Sequence, residues 1–288
     1  MKKKIILYQI MNSVNSTLII ILFAVTIIHP QNQLDEQLTK AEALYRNEEY
    51  FNSITELKRL IFFDSSKRYS YTANELIGEC YEKGAKFTDA LNYFARAEIA
   101  ATNTDEIYNC RINTVKINIL RRTTGRALSL LNALDKEPRF NGKKEEINYW
   151  KGWAYIFSDE WDKASDQFRR ISKQNELGRF CDSIDNQKYS VTEAKILSFF
   201  IPGAGQIYTG NYLSGILSLG WNILWGYTTI TAFQANRIFD GIMVAEFLWL
   251  RFYNGSNQNA EKFAIDKNLE ISNNALIYLQ NVYKGEKP

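Results

Sequence analysis

One histidine, four prolines and three cysteines in 288 residues leave little room for side-chain catalysis. The histidine is His29, near the N-terminus, so neither a His-dependent triad nor a histidine metal site is expected inside the folded region. Cys80, Cys110 and Cys181 form no CxxC pair, which removes the spacing of zinc sites and of thioredoxin-like redox motifs. They read as small helix-packing residues; outside the cytoplasm, one disulfide with a spare thiol stays open. An excess of one charge is missing too. Lys plus Arg is 35 against Asp plus Glu at 32, a net +3, too balanced to suggest a nucleic-acid partner. Scarce proline suits long helices. No catalytic residue, metal ligand or cofactor is expected.

What the sequence does have begins with an apolar run. Lys2, Lys3 and Lys4 are followed by LIIILFAVTII at positions 18–28. The run is short for a spanning helix, which takes about 20 apolar residues, and fits the apolar centre of a secretory signal peptide. Pro30 then ends it. Residues 1–31 are expected to be a signal peptide or an N-terminal anchor, with everything beyond exported.

A period comes next. Gly78, Tyr81, Phe87, Ala90, Phe94 and Ala97 have the same offsets as Gly152, Tyr155, Trp161, Ala164, Phe168 and Ile171. Ser53, Ala90, Ala127 and Ala164 recur every 37 residues. Weaker copies carry Ala41, Leu44, Tyr50, Ser53, Leu57 and Leu60, and Val115, Ala127, Leu131 and Leu134. This small–aromatic spacing resembles the tetratricopeptide repeat, a helical hairpin that buries its apolar face only against neighbours. Residues 33–185 are expected to form four such hairpins. Helices of this kind form a platform for a protein or peptide. Asn74, Glu75, Asn109, Arg111, Asn113, Lys116, Asn148 and Lys151 fall on the first helix of each pair, where a groove would be.

Residues 190–260 read differently. The stretch 194–201, AKILSFFI, stops at Pro202, and Gly203, Gly205, Gln206, Tyr208, Gly210 and Gly215 follow. Residues 213–233, LSGILSLGWNILWGYTTITAF, are 21 positions without a charge, with Gly215, Gly220 and Gly226 offering close helix approach. After the polar turn QANR comes IFDGIMVAEFLWLRFY, holding Asp240 and Glu246 at expected membrane depth, with Asn222 and Gln206 as candidate partners. A phosphate-binding loop does not fit, because GAGQIYTG lacks the Lys and Ser/Thr that grip phosphate and Mg²⁺. The run resembles the PGxGQxYxGxxxxG motif that opens a family of small two-span bacterial membrane domains. That resemblance implies a membrane hairpin with no established enzymatic role; read from its residues, the motif turns the chain within protein contact, with Tyr208 at headgroup level. An amphipathic helix over residues 261–288, lying on the membrane or on the repeats, closes the chain.

The expected fold is all-α, a tetratricopeptide-like hairpin solenoid followed by a two-helix transmembrane hairpin. The expected function is a membrane-tethered envelope scaffold at the bacterial inner membrane, repeats facing the periplasm, with a protein or peptide partner and membrane lipid as its contacts. Two alternatives stand beside it: a membrane enzyme or transport component using Glu246 and Asp240, and a soluble all-helical binding protein.

Overall fold

A computed structural model describes residues 30–288. The expected signal peptide or anchor lies outside the described residues up to and including His29, its apolar run with it. The described chain is all-helical, with no strand. Six helices come first: α1 (Pro30–Arg46), α2 (Tyr50–Phe63), α3 (Ser70–Lys83), α4 (Phe87–Ala100), α5 (Thr104–Leu120) and α6 (Thr124–Lys136). A 3₁₀ stretch, Pro138–Lys143, leads into α7 (Lys144–Phe157), then α8 (Trp161–Ile171) and α9 (Glu176–Asp185). The hairpin region holds α10 (Val191–Phe200), α11 (Ala204–Tyr208), α12 (Tyr212–Gln234) and α13 (Ile238–Val244). A π-turn, Ala245–Trp249, then enters α14 (Leu250–Asn281). Pro30 opens α1, where a first helical position needs no N–H and suits its fixed φ.

Contacts divide the described residues into two compact units, one up to Trp150 and the other Lys151–Lys287, with the boundary inside α7. The first holds three helical hairpins. The second holds the rest of α7 and the helices after it.

The 37-residue period is written into the backbone. Glu48, Ala85, Arg122 and Asp159, each 37 positions after the last, all have positive φ, between 54° and 68°. Each ends the first helix of a pair. The next residue, Glu49, Lys86, Thr123 or Glu160, donates its N–H to the carbonyl five positions back, at 2.8–3.0 Å. The left-handed residue itself donates to the carbonyl three back. These paired bonds satisfy the last carbonyls of a helix, the device usually built on glycine. Here four non-glycine residues bear the steric cost, of order 1 kcal/mol each. The chain therefore contains four tetratricopeptide-like hairpins.

Side-chain volumes follow the same period. Ser53, Ala90, Ala127 and Ala164 are each fully buried. Gly78 faces Phe94 and Gly152 faces Phe168, Ala41 and Leu57 share one core cluster, and the equivalent positions of the third hairpin, Val115 and Leu131, are both fully buried. The pairs are Ala with Leu, Gly with Phe, Val with Leu, and Gly with Phe. A Cβ on Gly78 would lie 2.6 Å from the Phe94 ring, and one on Gly152 would lie 2.5 Å from Phe168. The glycines are therefore dictated by their phenylalanines. Tyr81 stacks on Tyr93 at 5.4 Å, and Trp161 is wholly buried.

All three cysteines are free and buried. Burial pushes the Cys80 thiol up to about 11 and the Cys110 and Cys181 thiols up to about 12, so all three stay protonated and inert at neutral pH.

Candidate functional site

In the first unit, the groove-side residues expected from sequence separate into two sets. Asn74 is buried and donates to its own helix, at Ser70 O, 2.6 Å away. Arg111 is held between Glu98 (2.8 Å) and Glu137 (2.5 Å). Lys116 covers the Trp150 ring at 4.6 Å. These three serve packing. Lys151, in the second unit, is likewise buried. Asn109 is exposed, and Asn113 and Asn148 are partly so.

The face that emerges was only partly named by sequence. Tyr71, Glu75, Glu79 and Glu82 fall at i, i+4, i+8 and i+11 of α3, one stripe of a 3.6-residue helix. The Tyr71 hydroxyl donates to Glu75 Oε1 at 2.6 Å. Tyr45 of α1 approaches Glu79, and Glu106 of α5 approaches Glu75. Burial lifts the Glu75 carboxyl above the usual range, and Glu106 adds to it. Burial also lifts Glu79, reinforced by Glu75. The phenols of Tyr45 and Tyr71 are pushed up by burial and by these carboxylates. The result is an acidic, tyrosine-flanked face on α1, α3 and α5. Among the described residues no cluster suits a metal ion.

In the second unit, the glycine motif forms a staple. Ile201 is extended, as a residue before proline should be, and Pro202 ends α10. Gly203 has φ +97°, and a Cβ there would meet Gly215 O at 2.1 Å. Gly215 in turn lies against Gly203 O, 2.7 Å from where its own Cβ would be. A Cβ on Gly205 would meet Ala194 O at 2.1 Å. These glycines are needed because backbone touches backbone. Gly210, φ +82°, closes α11 with the same paired bonds as the repeat turns.

Gln206 is fully buried at the centre. Its Oε1 accepts from Ser198 Oγ at 2.9 Å, and its Nε2 donates to Ser256 O at 3.0 Å and Ser256 Oγ at 3.2 Å. Ser198 Oγ accepts from Gly205 N, and Ser256 Oγ from Gly203 N, both at 2.9 Å. The free backbone donors of the turn are thus matched, as buried polar groups require. Tyr208, expected at headgroup level, is half-buried. It packs edge-on to Tyr189 at 5.3 Å, accepts from Ser190 N and donates to Glu193 Oε2, both at 3.2 Å.

The other expected polar residues do not come together. Asp240 pairs with Arg237 at 2.6 Å at the start of α13. Glu246 is exposed on the π-turn. Gln206 is committed to serines, and Asn222 donates to Ser218 O at 2.8 Å, so neither serves Glu246. A Cβ on Gly226 would lie 3.3 Å from the Trp249 ring, but one on Gly220 would meet nothing within 4 Å.

No helix among the described residues is long and apolar enough to cross a membrane. For α12 the length suffices, about 34 Å for 23 residues. Its apolarity falls short because Ser214, Ser218, Asn222, Thr228, Thr229 and Thr231 dilute it. Even so, α12 exposes Leu213, Ile216, Leu217, Ile223, Leu224, Tyr227 and Ile230, by 44–73 %. Phe199, Phe200, Phe239 and Phe247 are exposed as well.

The C-terminal amphipathic helix, expected to lie on the membrane or on the repeats, is the far part of α14. Through the π-turn, α14 continues the second apolar helix and returns to the fourth hairpin. Asp159 Oδ1 accepts from Trp161 Nε1 at 2.7 Å and from Ser272 Oγ at 2.5 Å, and pairs with Lys188 at 2.7 Å. Tyr278 stacks on Phe180 at 5.2 Å. Burial raises the Asp159 carboxyl, but these three donors outweigh it and hold it below the usual range.

No family model matches the chain, and no curated protein matches it. Among solved structures it is similar to a tetratricopeptide repeat protein from Parabacteroides merdae ATCC 43184. The identity is 16 % and the TM-score 0.44, over 84 % of this chain and 99 % of that one.

Proposed function

We propose that the protein is a non-enzymatic scaffold of the bacterial cell envelope, moored at the inner membrane and presenting its hairpin repeats to a protein or peptide partner in the periplasm. The observation that carries the mooring is the apolar exposure of α12. Its buried stripe is Gly215, Asn222, Gly226 and Thr229; its exposed side is mostly Leu, Ile, Trp, Tyr and Phe, with Ser214, Ser218, Thr228 and Thr231 half-buried between. A water-facing helix is polar on its outer side. Exposed apolar surface beyond a few hundred Å² marks a partner or a lipid phase. The staple around Gln206 gives the hairpin a rigid base, so that α12 and α13 insert as one body.

The acidic face of the first unit supports the scaffold half of the reading. Carboxylates held in partly buried positions favour a cationic or hydrogen-bond-donating peptide over an acidic one.

Flotation of the full-length protein with phosphatidylcholine vesicles tests the mooring. The protein should rise with the vesicles and resist alkaline carbonate. Protein that stays at the bottom of the gradient as a compact monomer sinks this reading.

A further inference from the structure

A groove of about 510 Å³ runs between α12 and α14. Leu213, Leu217, Trp221 and Phe252 give it an apolar wall, with Trp221 and Phe252 stacked at 5.6 Å and 18°. The groove holds one cation, Arg251, and no acid. Arg251 is exposed and takes part in no hydrogen bond or ion pair with a described residue. Glu261, further along the same helix, is committed to Lys195 at 3.0 Å. The side chains of Ser218 and Asn259, at the rim, also have no hydrogen-bond partner among the described residues.

Arg251 stands where the surface of this helix changes character. Before it, Phe247 and Leu250 are exposed; after it, Asn254, Gln258 and Asn259 are. In a bilayer that change marks the level of the phosphates. A lone guanidinium beside an apolar wall calls for an anion with several oxygens, and its planar fork fits phosphate. The hydroxyl and amide at the rim supply further donors. The wall below would be left bare by a free anion but is covered by an acyl chain.

We propose that this groove holds one anionic phospholipid of the bilayer, its phosphate on Arg251 and a chain along Trp221 and Phe252. The inference rests on the mooring proposed above, and the two fail separately.

The test uses full-length protein and vesicles of phosphatidylcholine, alone or with phosphatidylglycerol, at one fixed moderate salt concentration. The wild type should bind the mixed vesicles about fivefold more tightly, the effect of one cation at an anionic surface. Arg251→Gln should keep its affinity for phosphatidylcholine and lose that increment. Lys262→Gln, a charge removed elsewhere on the exposed side of α14, should keep it. An increment that survives Arg251→Gln, or that Lys262→Gln removes equally, overturns the proposal. Loss of the wild-type increment in millimolar inorganic phosphate overturns the lipid in favour of a free anion. Equal binding to both vesicles overturns the groove alone. Binding to neither overturns groove and mooring together.

Discussion

Gln206 shows how a single amide comes to be irreplaceable. Replacing it with Leu removes its bonds to Ser198 and Ser256 and leaves those buried hydroxyls short of partners. The loss should be about 2–4 kcal/mol, read as a lower midpoint in urea or mild detergent. Gly203→Ala adds a Cβ into Gly215 O at a left-handed φ, so it should cost more than Gly210→Ala, where the φ is unfavourable but the space is open. Equal effects of the two would mean that backbone contact is not what the motif protects. Glu79 behaves in the opposite sense. Its carboxyl is raised in the fold, so the folded chain binds a proton more readily than the unfolded one. Stability is greatest below the ordinary glutamate range and falls as pH rises through the raised value. Glu79→Gln should therefore raise Tm at pH 7, and the gain should vanish near pH 4. A gain equal at both pH values would remove the electrostatic explanation. The motif was visible in the sequence as a cluster of glycine and proline. Its partners were not, because Ser256 is 50 positions from Gln206 and an isolated serine carries no signal.

A helical hairpin sets the rules at the next scale. The spacing of small and aromatic residues was legible because it repeats. Volume matching explains it: where the first helix has Gly, the second has Phe, and where it has Ala or Val, the second has Leu. Gly152→Ala should lose about 1–2 kcal/mol, overpacking against Phe168 partly offset by better helix propensity. Phe168→Leu alone should also lose stability, through the space it opens. The double variant recreates the Ala41 and Leu57 pair of the first hairpin. It should recover at least about 1 kcal/mol relative to the sum of the single changes, measured by a denaturant cycle. Simple additivity would mean that the two residues are not the matched contact they are taken to be. What the sequence hid at this scale were the turns. Glu48, Ala85, Arg122 and Asp159 share a left-handed conformation but no chemistry, so four equivalent caps leave no common letter. The π-turn at Ala245–Trp249 was hidden for a related reason, since one extra residue in a helical turn barely disturbs an apolar pattern.

Taken as a whole molecule, the chain departs most from its sequence pattern in where its units divide. Composition changes near residue 190, from amphipathic hairpins to an apolar hairpin, and a boundary there is the natural reading. Packing puts the division inside α7 instead. The fourth hairpin belongs with the C-terminal helix: Asp159 and Trp161 bond Ser272, and Phe180 stacks on Tyr278. A period seen along the sequence cannot reveal this, because α14 returns to the hairpin after more than 100 intervening residues. It follows that residues 33–185 are a poor fragment. Cutting there removes the cover from Trp161 and takes two of the three donors from Asp159, Ser272 and Lys188. Those donors hold the carboxyl low, so the stability they give is present above the ordinary aspartate range and lost as pH falls through the depressed value. At pH 7 the fragment should show red-shifted tryptophan fluorescence and an early, shallow melting step that the full chain lacks. Acid should narrow the gap between fragment and full chain, because protonating Asp159 takes from the full chain what the cut has already taken. A fragment that melts as cooperatively as the full chain, with tryptophan emission unchanged, would show that the fourth hairpin stands without α14 and that the sequence boundary near residue 190 is the true one.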